Sequence, residues 1–359
     1  MNQTKNNNPL APIQHLLDDS DILEIMVDGH ETLYVERKGK LEDVPSPFTD
    51  ESHLRSVIET AVAAFGYHIN ELNPIADVRL PDGSRMNVVL APISTKGSLM
   101  TIRKFNSPPL TFEQLYRFGS ISEPLVTFLA ACVKSRRNMA IAGGTGSGKT
   151  TVLNMLSEFI PEGERVITVE NACELNLRQK RVVSLESRPA NADGLGAVSV
   201  QDLVINALRM RPDRLVIGEV RGPEMLDVLQ AMNTGHDGSM LSVHANSPRD
   251  VLARLEAMAT MSGIPVPLFT IRQQLASALD IITHQERLPD GSRKLMKITE
   301  VVGMRGDSIE LQDIFEFRRT GMENGRITGK FVATGYIPTF LRELHDLGIE
   351  LPMSLFTPS

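Results

Sequence analysis

The stretch Gly143-Gly144-Thr145-Gly146-Ser147-Gly148-Lys149-Thr150 constrains this chain more than any other. It satisfies G-x-x-x-x-G-K-[ST], a loop whose glycines let backbone N–H groups turn inward around a phosphate chain. The lysine then reaches the β- and γ-phosphates, and the hydroxyl beside it ligates Mg²⁺. Such a loop needs a buried strand before it and a helix that begins at the phosphates. Asn138 to Ala142 reads as the strand. Lys149 to Phe159 reads as the helix, with Val152, Leu153, Leu156 and Phe159 on one face and Pro161 as its stop. The motif points to a nucleotide-binding α/β protein, with Gly143 to Thr150 and the neighbouring Thr151 as the residues that take ATP.

At 359 residues the chain is long for one ordinary core and suggests two or three domains. No run approaches 18 consecutive apolar residues, and the first residues lack the charged and apolar regions of a signal peptide, so the reading is a cytoplasmic protein. With only Cys132 and Cys173, a disulfide framework and a four-cysteine zinc site are both excluded. Lys plus Arg total 37 against 44 Asp plus Glu, a net charge of −7, which gives no reason to expect a nucleic-acid partner.

Residues 1–10 are polar and asparagine-rich and read as a disordered start. A first α+β domain is expected over 11–107. It has strands at Ile22–Val27 and Thr32–Glu36, a helix from about Asp50 to Phe65, a hairpin of Ala76–Leu80 and Met86–Leu90 around Pro81-Asp82-Gly83-Ser84, and a further strand at Leu99–Lys104. Pro108-Pro109 opens a hinge over 108–120, and an ATPase core follows over 121–266. The tail, 267–359, should hold a helix ending near Asp280, antiparallel strands between Ile281 and Ala333 and a closing helix from about Thr339 to Leu347, packed on the core. The heptapeptide Arg79 to Arg85 recurs letter for letter at Arg287 to Arg293; because the flanks do not repeat, it reads as two independent hairpin turns.

Ligands gather at the carboxyl ends of parallel strands, so the residue after each apolar run is informative. Val166–Val169 delivers Glu170, with Glu174 shortly beyond; Leu215–Gly218 delivers Glu219; Met240–Val243 delivers His244. Phosphoryl transfer needs a carboxylate near Mg²⁺ and a group that positions the attacking water. Glu219 fits the first task, holding Mg²⁺ through a water beside Thr150, while Glu170 and Glu174 compete for the second. His244 is placed to contact the γ-phosphate. Gly235 looks like a helix C-cap beside His236.

The set resembles the ATPases of type II and type IV secretion and pilus assembly. Their four boxes occur in order: Gly143 to Thr151, Ile167 to Glu174, Leu215 to Arg221, and Gly235 to Asn246. Arg209 to Asp213, Gln230 to Asp237, and Glu24 to Gly29 with Tyr34 to Arg37 look like the Tad/Flp pilus branch, the CpaF-like ATPases. The resemblance implies a RecA-like motor domain with a parallel-rich sheet behind a smaller PAS-like N-terminal domain. It also implies a homohexamer at the cytoplasmic face of the inner membrane, working on platform proteins there and touching the membrane through them. In such rings arginines close on the phosphates. Arg79, Arg85, Arg103 and Lys104 match the N-terminal set, and Arg209, Arg211 and Arg221 are core candidates, with Arg85 and Arg211 better read as surface cations. Asn171 stands where the family usually has Asp, and the long N-terminal extension of many Tad ATPases is missing from the sequence. The leading expectation is a Mg²⁺-dependent motor for Tad-type pilus assembly. The alternatives are a type IV secretion ATPase for conjugation or effector export, or a nucleotide-gated scaffold without turnover.

Overall fold

The computed structural model describes residues 8–37, 40–105, 110–190 and 195–358. These form two compact units, residues 8–105 and residues 110–190 with 196–358. Residues 1–7 of the expected polar start, and Pro108-Pro109 of the expected hinge, lie outside the described residues. Leu10 is already buried in the first unit's core.

A 3-10 turn at Ala11–Ile13 leads into α1 (Gln14–Asp18), β1 (Ile22–Asp28), β2 (Leu33–Arg37), β3 (Lys40–Val44), α2 (Glu51–Ala64), β4 (Ile75–Arg79), β5 (Arg85–Val89) and β6 (Leu99–Arg103). The strands make one antiparallel sheet in the order β3-β2-β1-β6-β5-β4. The Asp50 side chain caps α2 by accepting from the His53 amide at 2.8 Å. Leu54, Ile58, Ala61 and Val62 recur every three or four residues and so share one buried face. They meet Ile25 and Val27 of β1, Met86 and Val88 of β5, and Met100 and Ile102 of β6, the inward positions of an alternating strand pattern. The outward alternates include Arg79, Arg85 and Arg103, which stand opposite one another across β4, β5 and β6.

The second unit runs α3 (Phe112–Arg117), α4 (Glu123–Lys134), β7 (Met139–Gly143), α5 (Lys149–Ser157), β8 (Val166–Glu170), β9 (Val182–Glu186), α6 (Val200–Ala207), β10 (Arg214–Ile217), α7 (Glu224–Asn233), β11 (Met240–Val243), α8 (Pro248–Thr260) and α9 (Leu268–Ala278). It continues with β12 (Ile281–Arg287), β13 (Arg293–Arg305), β14 (Ser308–Glu323), β15 (Arg326–Ala333) and α10 (Leu341–Asp346). The expected hinge carries α3 instead, because Thr111 and Gln114 form a capping box there.

One sheet contains nine strands in the order β15-β14-β13-β12-β7-β11-β10-β8-β9. The pairings from β12 through β9 are parallel and those from β12 to β15 antiparallel. Strands β7, β8, β10 and β11 are buried on both faces, as parallel strands covered by helices must be. Ala140, Ile167, Leu215 and Leu241 face one core, together with side chains of α6, α7, α8 and α9. Met139, Val166, Val216 and Met240 face the other, with side chains of α3, α4, α5 and α10. The tail expected to pack on the core shares its sheet: Ile281–Gln285 lies parallel to Met139–Gly143, and β13, β14 and β15 build outward from it. Phe128 of α4 gathers Phe315, Phe340 and Phe356 at centroid distances of 5.5, 6.2 and 6.0 Å, tying the end of the chain to that face.

Candidate functional site

Strands β7, β8, β10 and β11 end at one edge of the nine-stranded sheet, and the polar residues that follow them are placed there by register. After β7 the chain turns through Gly146 and Gly148, whose φ values of +68° and +97° belong to the left-handed region that glycine adopts without strain. Ser147 is buried and its hydroxyl donates to the Gly144 carbonyl at 2.8 Å, fixing the turn from inside. Gly143 must lack a side chain, since a Cβ there would lie 2.3 Å from Ser147 Oγ and 2.6 Å from the Gln285 carbonyl oxygen. Gly148 caps α5, so the free amides of its first turn open toward the loop.

Lys149 Nζ donates to the Gly143 and Gly144 carbonyls, at 3.1 Å each. Burial holds its ammonium below the usual lysine range, opposed by the nearby Glu219 carboxylate. Thr150 donates its hydroxyl to Glu174 Oε2 at 3.4 Å. Glu219 accepts from Arg221 Nη2 at 2.6 Å and Nε at 3.0 Å, a forked pair beside Lys149. Glu170 is 3% exposed, and its Oε2 accepts from the Glu174 and Leu175 amides at 2.8 and 3.0 Å. Burial pushes its carboxyl above the ordinary range, with those amides opposing the shift. Glu170 therefore shapes the loop that carries Glu174, and Glu174 is the carboxylate that meets Thr150. Asn171 is turned elsewhere, its side-chain oxygen accepting from Ser187 Oγ at 3.2 Å.

His244 follows β11 and is half-buried. Gly235, at φ +98°, ends α7, and the His236 ring lies 3.3 Å from the Ala231 carbonyl in that turn. Arg209 is exposed at the end of α6, where its amide closes on the Asn206 carbonyl. Thr151 is half-buried in the first turn of α5. Arg79 and Arg103 belong to the first unit, where Arg103 lies 3.6 Å from Glu24; Lys104 there donates to the Asp19 carbonyl at 2.6 Å.

Sequence reasoning missed three residues at the loop. Gln285 of β12 stands opposite Gly143 of β7, so the hairpin between β12 and β13 emerges beside the phosphate loop. Arg293 Nε donates to the Gly146 carbonyl at 2.7 Å, and Arg287 Nη1 lies 3.7 Å from where a Cβ on Gly146 would stand. The repeated heptapeptide was the available signal, and β12 is a fifth strand ending at the same edge.

Among the described residues no cluster of three His, Cys, Asp or Glu could hold a metal alone. The donors present, the Thr150 hydroxyl and the Glu174 and Glu219 carboxylates, are hard oxygens that suit Mg²⁺ shared with phosphate oxygens. Among them, too, no helix is long and apolar enough to cross a membrane.

A phosphate loop at the edge of a mostly parallel sheet, with carboxylates on the neighbouring strands, defines a P-loop nucleotide-binding protein. Residues 6–318 match the model of the type II/IV secretion system protein family, and the chain belongs to that family. It is 34% identical to a putative conjugal transfer protein of Mycobacterium tuberculosis over 292 residues, 80% of this chain and 82% of that one. It is 30% identical over 331 residues to the type IV secretion system protein VirB11 of Bartonella quintana, covering 81% and 91% of the two chains. Its fold matches the Legionella pneumophila ATPase DotB with a TM-score of 0.58 at 19% identity, over 84% of this chain and 83% of that one.

Proposed function

We propose that the protein is a Mg²⁺-dependent ATP hydrolase that powers a secretion machine of the type IV kind. The observation that carries the reading is the meeting of Lys149, Thr150, Glu174 and Glu219 at one sheet edge. In this assignment the loop amides and Lys149 bind the β- and γ-phosphates, with Thr151 at the start of α5, and the Lys149 ammonium moves from the loop carbonyls to the phosphate oxygens. Thr150, and Glu219 through a water, would hold Mg²⁺, which when bound neutralises developing phosphate charge. Glu174 orients the attacking water and Glu170 holds the loop in shape, an assignment supported by the two amides that Glu170 already accepts. Arg221 can exchange Glu219 for phosphate. His244 faces the γ-phosphate, and Arg209, Arg79 and Arg103 serve as further phosphate cations within a homohexamer. The protein then works at the cytoplasmic face of the inner membrane, on platform proteins there.

Conjugal transfer and VirB11 relatives favour a conjugation or effector-export machine. The Tad/Flp pilus reading rests on the segments Arg209 to Asp213 and Gln230 to Asp237. Deletion of the gene decides between them: loss of mating or effector delivery supports the first, and loss of surface pili with delivery intact supports the second. Steady-state phosphate release from ATP tests the enzyme. Turnover by the wild type that Lys149→Ala and Glu219→Gln abolish is expected, and tight ATP binding with no turnover, partners added, would replace the motor by a nucleotide-gated scaffold.

A further inference from the structure

One heptapeptide builds the same turn twice. In both copies the leucine amide donates to the serine carbonyl, at 2.8 Å for Leu80 to Ser84 and 2.7 Å for Leu288 to Ser292. The aspartate accepts from the serine amide at 2.9 and 3.0 Å, and the glycine takes φ +87° and +81°. Both turns therefore present a directly opposed arginine pair, Arg79 with Arg85 and Arg287 with Arg293. The surroundings differ. In the first unit Asp77, two residues before Arg79, pairs with Arg85 at 3.2 Å. In the second unit that position is the neutral, buried Gln285, and register sets the pair against the phosphate loop.

We infer that Arg293 positions the phosphate loop, and that with Arg287 it supplies an intrinsic cation pair to the site that takes the nucleoside di- or triphosphate. Arg293 Nε grips the Gly146 carbonyl at 2.7 Å, and its Cδ lies 3.7 Å from where a Cβ on Gly148 would stand, so it spans the part of the loop with positive φ values. A carbonyl held outward by a guanidinium keeps the loop from refolding around its own oxygens, leaving its amides free for phosphate. The two positive charges raise the local potential for a polyanion at a site where the loop lysine is itself partly desolvated. The hairpin can bear this task because it is rigid: Asp290 also accepts from the Ile327 amide at 2.7 Å, which ties the turn to β15, and those bonds hold its carboxyl down at about 2.

The inference rests on the nucleotide-binding reading, and two readouts separate their failures. The first is the Kd for ADP and for adenosine; the second is hydrogen exchange at the amides of residues 146–149 without nucleotide. Arg293→Gln is expected to weaken ADP roughly tenfold, the loss typical of one charge-assisted hydrogen bond, with adenosine unchanged and loop exchange faster. Arg293→Lys, which keeps the charge and one donor, should stay within about threefold. Arg287→Gln should cost about two- to threefold at low salt and less at high salt, with loop exchange unchanged. Both arginines are exposed, so a melting curve matching the wild type is expected for all three variants and confirms each fold. If Arg293→Gln binds ADP within twofold of wild type and its loop exchanges as wild type does, the inference is overturned. Wild-type protein that binds no ADP, as Lys149→Ala is expected not to, would overturn the nucleotide-binding reading itself, while loop exchange would still decide whether Arg293 holds the loop.

Discussion

Gly218 and Glu170 are coupled tightly enough to make a quantitative test of how the site is held. Gly218 follows β10, and its amide donates to the Val169 carbonyl at 2.9 Å, so its backbone cannot retreat without breaking the sheet edge. A Cβ there would stand 2.6 Å from Glu170 Cγ and 3.3 Å from Cδ. Since Cγ is near the root of the side chain, only a change of rotamer relieves the clash. That change takes Oε2 away from the Glu174 and Leu175 amides. Overpacking costs about 1–3 kcal/mol and each lost hydrogen bond to a charged group up to about 1.5–3 kcal/mol, so Gly218→Ala should destabilise by about 2–4 kcal/mol after partial relaxation. Urea unfolding followed by circular dichroism gives the stability, and hydrogen exchange at Glu174 and Leu175 reports the loop. In the background of Glu170→Ala the clash is gone, so the double variant should be at least about 1 kcal/mol more stable than the sum of the single effects. Additivity within about 0.5 kcal/mol, or unchanged exchange at those two amides in Gly218→Ala, would refute the reasoning.

Three further outcomes follow from the same geometry. Glu170 has a folded-state pKa raised by burial above the ordinary 4.5, so the folded protein holds the extra proton and wild-type stability falls as pH rises through that interval. Glu170→Gln should therefore melt higher than wild type near pH 7, with the gap closing as pH falls toward 4.5; a gap that widens on acidification would contradict the sign. Gly143→Ala meets Ser147 Oγ and the Gln285 carbonyl, which β12 holds fixed, so ADP affinity should drop by about tenfold or more by calorimetry, with a stability loss of about 1–3 kcal/mol. Asn171→Asp leaves the bond to Ser187 available, so steady-state phosphate release should stay within about threefold of wild type; a tenfold gain would place that charge at the metal.

The central strands were legible because their physics is simple. Val166–Val169, Leu215–Ile217 and Met240–Val243 are buried on both faces and read as short, predominantly apolar runs, broken only by Thr168 and Ser242, and each is followed by a polar residue at the sheet edge. Two strands escaped. β3 and β9 are edge strands, paired on one side only, and their side chains are mostly exposed or half-exposed. β3 offers only Leu41 and Val44, and in β9 the alternation is confined to Val183 and Leu185, periods too short to mark a strand in the sequence. The tail's place in the sheet was hidden for a related reason. Antiparallel strand candidates were visible between Ile281 and Ala333, but only the pairing of Ile281 with Met139 shows that they extend the existing sheet.

The two copies of the heptapeptide separate what local sequence decides from what register decides. Glycine at positive φ, aspartate accepting from serine, and arginines opposed across the ladder are local, and both copies obey them alike. Whether the arginines meet a carboxylate or a phosphate loop is settled by other strands. Asp77 lies two residues back on the same strand in one case, and in the other Gly143 lies across a ladder with more than a hundred residues of chain between the partners. A turn can thus be read from seven letters, while its chemistry depends on the neighbour that the sheet assigns to it. In the second unit, that neighbour is the loop on which nucleotide binding would depend, so the strongest demand on β12 is its register against β7. A one-residue slip would turn every β12 side chain to the opposite face and carry Arg293 away from Gly146.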